Sequence, residues 1–193
     1  NDRPSDELFV RWTQVGVFTS HLRFHGSSAR EPWEYPAVEG VVREWLKLRY
    51  ALIPYFLREA EQAVSSGLPI FRSLVFHHEE DPIAWTIEDE FYCGGTFLAA
   101  PILGDSGARS VYLPAGEWID FWTGERREGP VVIRVEQPLS RMPLYVRSGS
   151  SIPFYPEPVA CTDEMDLSRS AEIVFDEGYR GFRSSALGSI IEL

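Results

Sequence analysis

Three short polar segments of the chain contain the residue types that could do chemistry. The run Arg23-Phe24-His25-Gly26 reads as a short strand that ends in a histidine and a glycine and then opens into a polar loop. Residues 77–81 read His-His-Glu-Glu-Asp, and residues 88–90 read Glu-Asp-Glu. Histidine exchanges hydrogen bonds with polar ligands, and paired carboxylates can act as general acid and base. A strand end that opens into a loop is where a barrel enzyme places its ligand contacts.

The second and third segments have simpler structural explanations. Adjacent side chains on a strand point to opposite faces, so His77 and His78 would not share one metal ion. We therefore predict a solvated loop between a strand and a helix there, and no metal site. The acids at 88–90 could be taken for a catalytic group, but neighbours on a helix do not face each other. We interpret them as the negative first turn of a helix, which the helix dipole favours.

The elements that must position these segments change in type near residue 95. Before it, apolar residues at 8, 9, 12 and 15 predict a helix that breaks at Gly16. A second amphipathic pattern covers residues 42–63, where Pro54 should kink or divide the helix and Gly67 should end it. The apolar run Ile70–His77 then predicts a strand. A helix followed by a strand is typical of the last βα units of a barrel.

After residue 95 the pattern is all-β. Short β-branched or aromatic segments separated by glycine-containing turns predict an antiparallel β-sandwich. The predicted strands are 110–113, 118–122, 131–135, 144–147 and 171–175. Trp118 and Trp122 lie four residues apart and could stack on sugar rings, although we favour packing in the core. The proline-rich, acidic residues 155–166 read as a linker to the last strand pair.

Composition excludes several classes of function. The 193 residues have a formal net charge of −11, which disfavours nucleic acid and anionic membranes as partners. No apolar run is long enough for a membrane span, and no cofactor motif is present. Cys93 and Cys161 lie without a metal-ligand spacing, and we predict two buried thiols.

Seven sequence motifs in fixed order give the chain a family resemblance. Together with Arg23–Gly26 they resemble glycoside hydrolase family 31, the family of α-xylosidases and α-glucosidases. The motifs are Leu48–Tyr55, Gly67–Arg72, Glu80–Pro82 with Asp89–Phe91, Phe97–Ile102, Tyr112–Trp118, Asp120–Gly124 and Pro143–Ser150. The resemblance implies that residues 1–95 are the C-terminal end of a (β/α)8 barrel. Residues 96–193 would then be a C-terminal β-sandwich domain with a terminal tail.

The resemblance also assigns roles to residues. It makes His25 a substrate-binding residue in the sugar pocket and gives Arg23 a bracing role behind it. A retaining glycosidase needs two carboxylates about 5–5.5 Å apart, and in this family both precede the His-Gly turn. Only 24 residues precede His25, and neither Asp2 nor Asp6 has the expected flanking residues. We therefore expect a C-terminal fragment that has no catalytic pair and is inactive alone.

Two functional classes remain open on sequence grounds. The first is this portion of a retaining α-glycosidase, whose partners would be an α-linked oligosaccharide or glycoside and the upstream part of the barrel. The run His21–Gly26 is closest to the α-xylosidase branch, with α-glucosidase as the near alternative. The second class is a free-standing β-sandwich that binds carbohydrate or another protein. No cofactor is expected in either, and assembly as a homo-oligomer is left open.

Overall fold

Three helices form the first part of the chain: α1 (Asp6–Val17), α2 (Glu39–Ala51) and α3 (Ile53–Ser66). The computed structural model describes residues 3–104 and 106–182. Pro54 stands in the first turn of α3, where its missing N–H costs nothing, so the predicted long helix divides at Leu52. Gly67 ends α3 with a φ of 78°, a left-handed conformation that glycine adopts freely. The predictions for Pro54 and Gly67 are confirmed, whereas α1 continues through Gly16 to Val17 and does not break at the glycine.

Strands make up most of the rest, and every pairing among the described residues is antiparallel. The strands are β1 (Phe71–Ser73), β2 (Phe91–Cys93), β3 (Phe97–Ala99), β4 (Ala108–Asp120), β5 (Arg126–Glu136), β6 (Leu144–Arg147), β7 (Ser151–Phe154) and β8 (Ala171–Val174). The first six form one sheet in the order β1-β2-β3-β6-β4-β5, and β7 pairs with β8 in a second sheet. This arrangement is consistent with a β-sandwich.

Strand β4 merges two of the predicted strands. The sequence indicated a turn at Ala115-Gly116, between strands at 110–113 and 118–122. Instead the chain runs on through a register shift between Leu113 and Gly116 against β5, and Gly116 has a φ of 123°. A bulge of this kind bends a strand without ending it. A glycine between two apolar runs therefore marks an irregularity here and not a chain reversal.

The predicted barrel strand at Ile70–His77 needs correction. Only Phe71–Ser73 is a strand, and it pairs antiparallel with β2 as the edge of the six-stranded sheet. A 3-10 helix, Leu74–Phe76, replaces the rest of the run. A short apolar run does not reveal which neighbour it will pair with. The antiparallel sheet thus begins at Phe71, ahead of the change that the sequence indicated near residue 95.

The helices and the sheet share one hydrophobic core. Phe18, Trp45 and Tyr55 from the helical part pack in the same cluster as Phe97 and Phe121 from the sheet part. The Tyr55 and Phe97 rings meet edge to face at 5.2 Å, a favoured geometry for aromatic pairs. The helical part and the sheet therefore bury each other.

A second cluster covers the other side of the sheet and contains Trp118 together with Tyr92 and Tyr145. Trp118 is fully buried and Trp122 is 8% exposed, so the core-packing prediction for both is confirmed. They lie in different clusters, because β4 ends at Asp120 and the turn after it directs Trp122 toward the helices.

The connection between β5 and β6, residues 137–143, is held to the rest of the protein through its carbonyl groups. Four side chains donate hydrogen bonds of 2.7–3.1 Å to these carbonyls: Arg11 to Arg141, Gln14 to Leu139, Trp45 to Ser140 and Trp122 to Met142. Three of the donors belong to α1 and α2, so this connection is the main polar link between those helices and the sheet.

The cysteines are both free thiols. Cys93 is buried, as expected, but Cys161 is exposed, so that part of the prediction is wrong. Cys161 lies between β7 and β8, in a connection of short 3-10 turns whose residues are mostly exposed. Within residues 3–104 and 106–182, no helix is long and apolar enough to cross a membrane.

Candidate active-site segment

The segment between α1 and the 3-10 helix Pro32–Glu34 contains the predicted site residues. From position 21 to 25 its side chains alternate: Leu22 and Phe24 are partly buried, whereas His21, Arg23 and His25 are exposed. A period of two is the pattern of a half-buried strand. All three polar side chains therefore lie on the open side of one extended segment.

This segment is not a strand, which corrects the prediction of a strand ending at His25-Gly26. Residues 21–26 have no regular secondary structure. A strand exists only through hydrogen bonds to a neighbour, and no backbone bond joins residues 21–26 to another segment of the described chain. The sequence pattern of a strand is present, but the described residues provide no ladder for it.

Arg49 of α2 fixes the start of the segment. Its Nη1 donates to the carbonyl oxygens of Val17 and Thr19 at 2.8 and 2.6 Å, and its Nη2 donates to that of Ser20 at 3.0 Å. The guanidinium also lies 3.7 Å from the centre of the Phe56 ring. These bonds satisfy carbonyls at the open C-terminal end of α1. Burial lowers the pKa of Arg49, and the carbonyls offset that cost to its charge.

Aromatic stacking fixes the other end. The Phe24 ring stacks on Phe9 of α1 at 5.2 Å between centroids, and Phe9 stacks on Tyr35 at 3.8 Å. Phe9 and Tyr35 are buried in a small cluster between α1 and α2. His25 therefore follows an anchored residue, which restricts the positions that its imidazole can occupy.

His25 and Arg23 are both exposed. Neither side chain is buried among the residues that the structure describes. Arg23 has no ion pair among the described residues, so the buried pairing that a brace requires is not formed there. The roles given to His25 and Arg23 stay predictions.

The histidine pair at 77–78 is committed to separate partners. His77 Nε2 lies 2.9 Å from Arg72 Nη1, and burial, followed by the Arg72 charge, lowers the pKa of His77 to about 4. His78 Nε2 lies 2.8 Å from the Tyr92 hydroxyl. The described part of the chain contains no group of three or more His, Cys, Asp or Glu side chains placed to hold a metal ion.

The acidic run at 88–90 is not the first turn of a helix, which corrects that interpretation. It is a loop that leads directly into β2. Arg109 Nη2 donates to Asp89 Oδ1 at 2.8 Å and to Glu90 Oε1 at 3.1 Å, and Glu90 Oε1 also accepts from the Tyr112 backbone N–H. Burial raises the pKa of Glu90 to about 7 despite these bonds. The apolar run Phe91–Cys93, which forms buried strand β2, begins immediately after Glu90. This run could have favoured a loop over a helix at 88–90.

Sequence reasoning missed Arg49, although it stands inside a quoted motif. The available signal was a single arginine among the apolar positions of an amphipathic helix, a place where a charge must find partners. Which partners it would find could not be read from the sequence, because they are backbone carbonyls 29 to 32 residues away.

The described residues thus combine three helices, an open His-Gly segment between the first two of them, and an antiparallel sheet that shares their core. Two family descriptions match the chain, the glycosyl hydrolases family 31 TIM-barrel domain over residues 1–59 and the glycosyl hydrolase family 31 C-terminal domain over residues 67–152. The chain belongs to glycoside hydrolase family 31.

Named relatives agree with this assignment. The chain is 36% identical over 151 residues to alpha-glucosidase 2 of Bacillus thermoamyloliquefaciens, and 38% identical over 151 residues to an alpha-xylosidase of Saccharolobus solfataricus. These alignments cover 76% of the chain but only 19% and 21% of the relatives. The chain thus spans about a fifth of the length of the curated relatives that it matches.

Solved structures show the same relationship. A dextranase of Flavobacterium johnsoniae complexed with isomaltotriose superposes with a TM-score of 0.73 at 37% identity, over 78% of this chain and 19% of that one. An alpha-xylosidase of Xanthomonas citri superposes with a TM-score of 0.73 at 36% identity, over 77% of this chain and 17% of that one.

Proposed function

We propose that this chain is the C-terminal portion of a retaining α-glycosidase that hydrolyses the O-glycosyl bond of α-xylosides or α-glucosides. In this proposal His25 contacts the sugar through its imidazole, and the nucleophile and acid/base carboxylates lie outside the 193 residues. The observation that carries the proposal is the match of the family 31 barrel over residues 1–59, which include His25 in an exposed position.

The position of His25 supports a role in binding substrate. Its anchored neighbours, Phe24 on one side and the Arg49-bound carbonyls before it, hold an otherwise irregular segment in place. A side chain that contacts a ligand must be accessible. It also loses less conformational entropy on binding when its position is already restricted. Arg23 shares the exposed side, and we assign it a supporting role toward the upstream part of the pocket.

The substrate class is inferred from two kinds of relative, the alpha-glucosidases and the alpha-xylosidases. The similar proteins include an alpha-glucosidase and an alpha-xylosidase at nearly equal identity, 36% and 38%. Neither branch is therefore favoured by overall similarity. The His21–Gly26 pattern inclines the proposal toward an α-xyloside.

The division into a barrel end over 1–95 and a sandwich over 96–193 stays a prediction. The two family matches meet between residues 59 and 67, and β1 begins at Phe71. Both observations favour a division within residues 60–70, close to Gly67. The stretch between Phe71 and Cys93 would then belong to the sandwich.

A free-standing carbohydrate-binding or interaction module is the alternative. Such a module would have no use for three barrel helices that share the core of the sheet. The barrel match therefore weighs against it.

The test is a fusion protein in which the barrel portion of the Bacillus relative precedes this chain. We expect the fusion to hydrolyse aryl α-glucosides or α-xylosides and the 193-residue chain alone to be inactive, because catalysis needs the carboxylate pair. His25→Ala in the fusion should lower kcat/KM roughly tenfold or more, since a hydrogen bond to the reacting sugar is lost.

His21→Ala is the matched control, since His21 is exposed on the same segment. Its kcat/KM should stay close to that of the unmodified fusion. Hydrolysis by the chain alone would contradict the absence of a catalytic pair. Equal losses in both histidine variants, or none in His25→Ala, would contradict the assignment of His25.

A further inference from the structure

Strand β5 forms one edge of the six-stranded sheet. It covers 11 residues and pairs with β4 on one side. Among the described residues, no other strand pairs with it and no backbone hydrogen bond reaches it from a segment other than β4. The opposite edge of the sheet, β1, has only 3 residues. A long edge strand presents a row of N–H and C=O groups with which another strand can pair. The β5 edge is therefore where this sheet can accept a further strand.

The hydrogen bonds to β4 fix which groups of β5 face the open edge. At one end of the ladder the Gln137 N–H donates to the Gly107 carbonyl at 2.9 Å. At the other end the Asp120 N–H donates to the Glu125 carbonyl at 2.8 Å. Bonded and non-bonded pairs alternate along an antiparallel ladder. The odd-numbered residues of β5 therefore bond to β4, and the even-numbered ones direct their backbone groups to the open edge. Pro130 offers a carbonyl there but no N–H.

The even-numbered residues of β5 also carry its exposed charges. Glu128, Arg134 and Glu136 are exposed, and Arg126 is half-buried. Arg126 already pairs with Glu117 of β4 at 3.0 Å. The other three charged side chains take part in no ion pair among the described residues. They are therefore available to a partner that approaches along the edge.

The order of these charges is self-complementary. When two copies of β5 pair antiparallel about a two-fold axis at Val131, each residue lies opposite the one at the same distance on the other side of that axis. Arg126 then lies opposite Glu136 of the second copy, and Glu128 lies opposite Arg134 of the second copy. Opposite charges directly across two strands stabilise their pairing. The axis repeats each pair, so four attractive pairs form.

The neighbouring registers lack this match. Moving the axis one residue toward the C-terminus would place Glu128 opposite Glu136. Moving it one residue toward the N-terminus would place Arg126 opposite Arg134. Like charges directly opposite each other are destabilising. An axis between two residues would set outward-facing backbone groups against inward-facing ones, and no ladder would form. The charges of β5 therefore select the axis at Val131 over the registers beside it.

The centre of this register is apolar. Val132, which is 60% exposed, would lie opposite Pro130 of the second copy, and the two copies of Val131 would face each other. An apolar centre with charges at its ends is the usual anatomy of a protein interface. Residues 126–136 contain three arginines and two glutamates, in a chain with a net charge of −11. Two copies of this acidic chain therefore repel each other less at β5 than elsewhere.

We propose that two copies of this chain associate through β5, so that their sheets become continuous across a two-fold axis at Val131. The even-numbered residues supply the backbone hydrogen bonds, and the Glu128–Arg134 and Arg126–Glu136 pairs set the register. One strand from each copy is a small interface, so we expect a reversible dimer with a dissociation constant on the order of 10–100 µM. The proposal is independent of the function proposed above, because residues 21–26 take no part in it.

Charge reversal tests the register. Sedimentation equilibrium of the 193-residue chain should show a monomer and a dimer in exchange. Glu128→Arg and Arg134→Glu should each raise the dissociation constant roughly tenfold or more, because each substitution turns two attractive pairs into repulsive ones. The variant with both substitutions restores opposite charges and should return to within about threefold of the wild type. Glu172→Arg is the matched control, with the same charge change at an exposed position of β8, and should leave the constant unchanged.

Three outcomes would overturn the proposal. The first is a chain that stays monomeric up to about 1 mM, since the charges of β5 would then prevent edge pairing. The second is a dimer that neither single reversal weakens, because another surface would hold it. The third is a double variant no better than the single ones. Circular dichroism of each variant confirms that these exposed substitutions leave the fold intact.

Disulfide trapping gives an independent measurement of the same register. In a Cys161→Ser background, Val131→Cys should form a covalent dimer with oxidised glutathione. The Cα atoms of such non-bonded partners lie about 4.5 Å apart, within the range of a disulfide. Ile133→Cys is the matched control, since Ile133 is equally half-buried on the same face, but its two copies would lie about 14 Å apart. Cross-linking of both variants, or of neither, would refute an axis at Val131.

Discussion

Two regions of the molecule differ in how many of their hydrogen-bonding groups have partners within the chain. One is the junction between α3 and the β2–β3 turn, and the other is the segment between α1 and the first 3-10 helix. At the junction, the Tyr55 hydroxyl donates to the Cys93 carbonyl at 2.6 Å, and the Gly95 N–H donates to Glu59 Oε2 at 3.1 Å. Arg72 lies 3.7 Å from the same Glu59 carboxylate. In the α1 segment, residues 21–26 keep a strand-like alternation without any strand partner.

At the junction, Tyr55, Glu59 and Arg72 find polar partners within the described residues, whereas the buried Nε of Arg58 has no hydrogen bond there. In the α1 segment, the side chains of His21, Arg23 and His25 are exposed, and the buried Arg11 Nε and Tyr35 hydroxyl lack a hydrogen-bond partner among the described residues. Unsatisfied groups of this kind mark surfaces that another part of the protein or a ligand completes.

The largest effect is expected from Gly94→Ala at the junction. Gly94 has a φ of 62°, and a Cβ there would lie 2.3 Å from the Tyr55 hydroxyl and 2.4 Å from the Glu59 carboxylate. The free energy of unfolding in urea should fall by roughly 2–4 kcal/mol, from backbone strain and a steric clash together. Gly149→Ala is the matched control, with a φ of 77° and open space around its Cβ, and it should cost only about 1 kcal/mol. Equal losses would show that the junction is not tightly packed.

Arg49→Met tests how the segment is anchored. Methionine keeps an apolar stem over Phe56 but loses three hydrogen bonds to carbonyls, which should cost about 1.5–3 kcal/mol of unfolding free energy. Trypsin should then cut faster after Arg23 and Arg30, as measured by mass spectrometry of the fragments. Arg43→Met removes only an exposed ion pair with Glu39 and should cost at most about 1 kcal/mol, with no change in cleavage. Unchanged cleavage in Arg49→Met would refute the anchoring role.

Glu90→Gln tests whether the buried acid that precedes β2 destabilises the fold at neutral pH. The pKa of Glu90 is raised from 4.5 to about 7 by burial, so the folded state binds a proton more tightly than the unfolded state. The contribution of protonated Glu90 to the free energy of unfolding is therefore lost as the pH rises from about 4.5 through about 7. The wild type should lose stability relative to Glu90→Gln over that range. We expect a difference of about 1–3 kcal/mol from urea unfolding at each pH.

The difference between the two proteins isolates Glu90 from other buried groups. His77 has a pKa lowered to about 4, so its contribution to the free energy of unfolding rises with pH. This contribution is the same in the wild type and in Glu90→Gln and cancels in the difference. A constant stability difference from pH 4.5 to 7.5 would contradict the raised pKa of Glu90.

The smallest effect on stability is expected from His25→Ala in this chain. An exposed side chain with no hydrogen-bond partner among the described residues should change the unfolding free energy by less than about 0.5 kcal/mol. Phe24→Ala, next to it and stacked on Phe9, should cost about 1–2 kcal/mol. A large loss in His25→Ala would mean that the histidine supports the fold.

Local patterns predicted the helices well. Apolar periodicity, Pro54 and Gly67 act within a few residues of themselves, so α1 and the division of α2 from α3 follow from the sequence. Strand β6 matches its prediction residue for residue at Leu144–Arg147. These features depend on neighbours along the chain.

Pairing between distant segments could not be predicted. Whether Phe71–Ser73 joins a barrel or an antiparallel sheet depends on β2, about twenty residues later. The acids at 88–90 likewise depend on Arg109, which approaches them only in the folded chain. For the candidate site, His25 was singled out through a family resemblance and its role stays a prediction, whereas Arg49 acts on carbonyls whose positions no side-chain pattern encodes.

The connection between β5 and β6 is recognised through its backbone, and this has a consequence for sequence change. Because Arg11, Gln14, Trp45 and Trp122 all donate to carbonyl oxygens, the identities of Leu139, Ser140, Arg141 and Met142 do not determine these four bonds. Every amino acid offers the same acceptor. These four bonds therefore persist whatever side chains stand at 139–142, although packing still constrains Met142, which is fully buried in the core. Each donor tolerates little change, so the attachment of the helices to the sheet depends on four side chains that lie elsewhere.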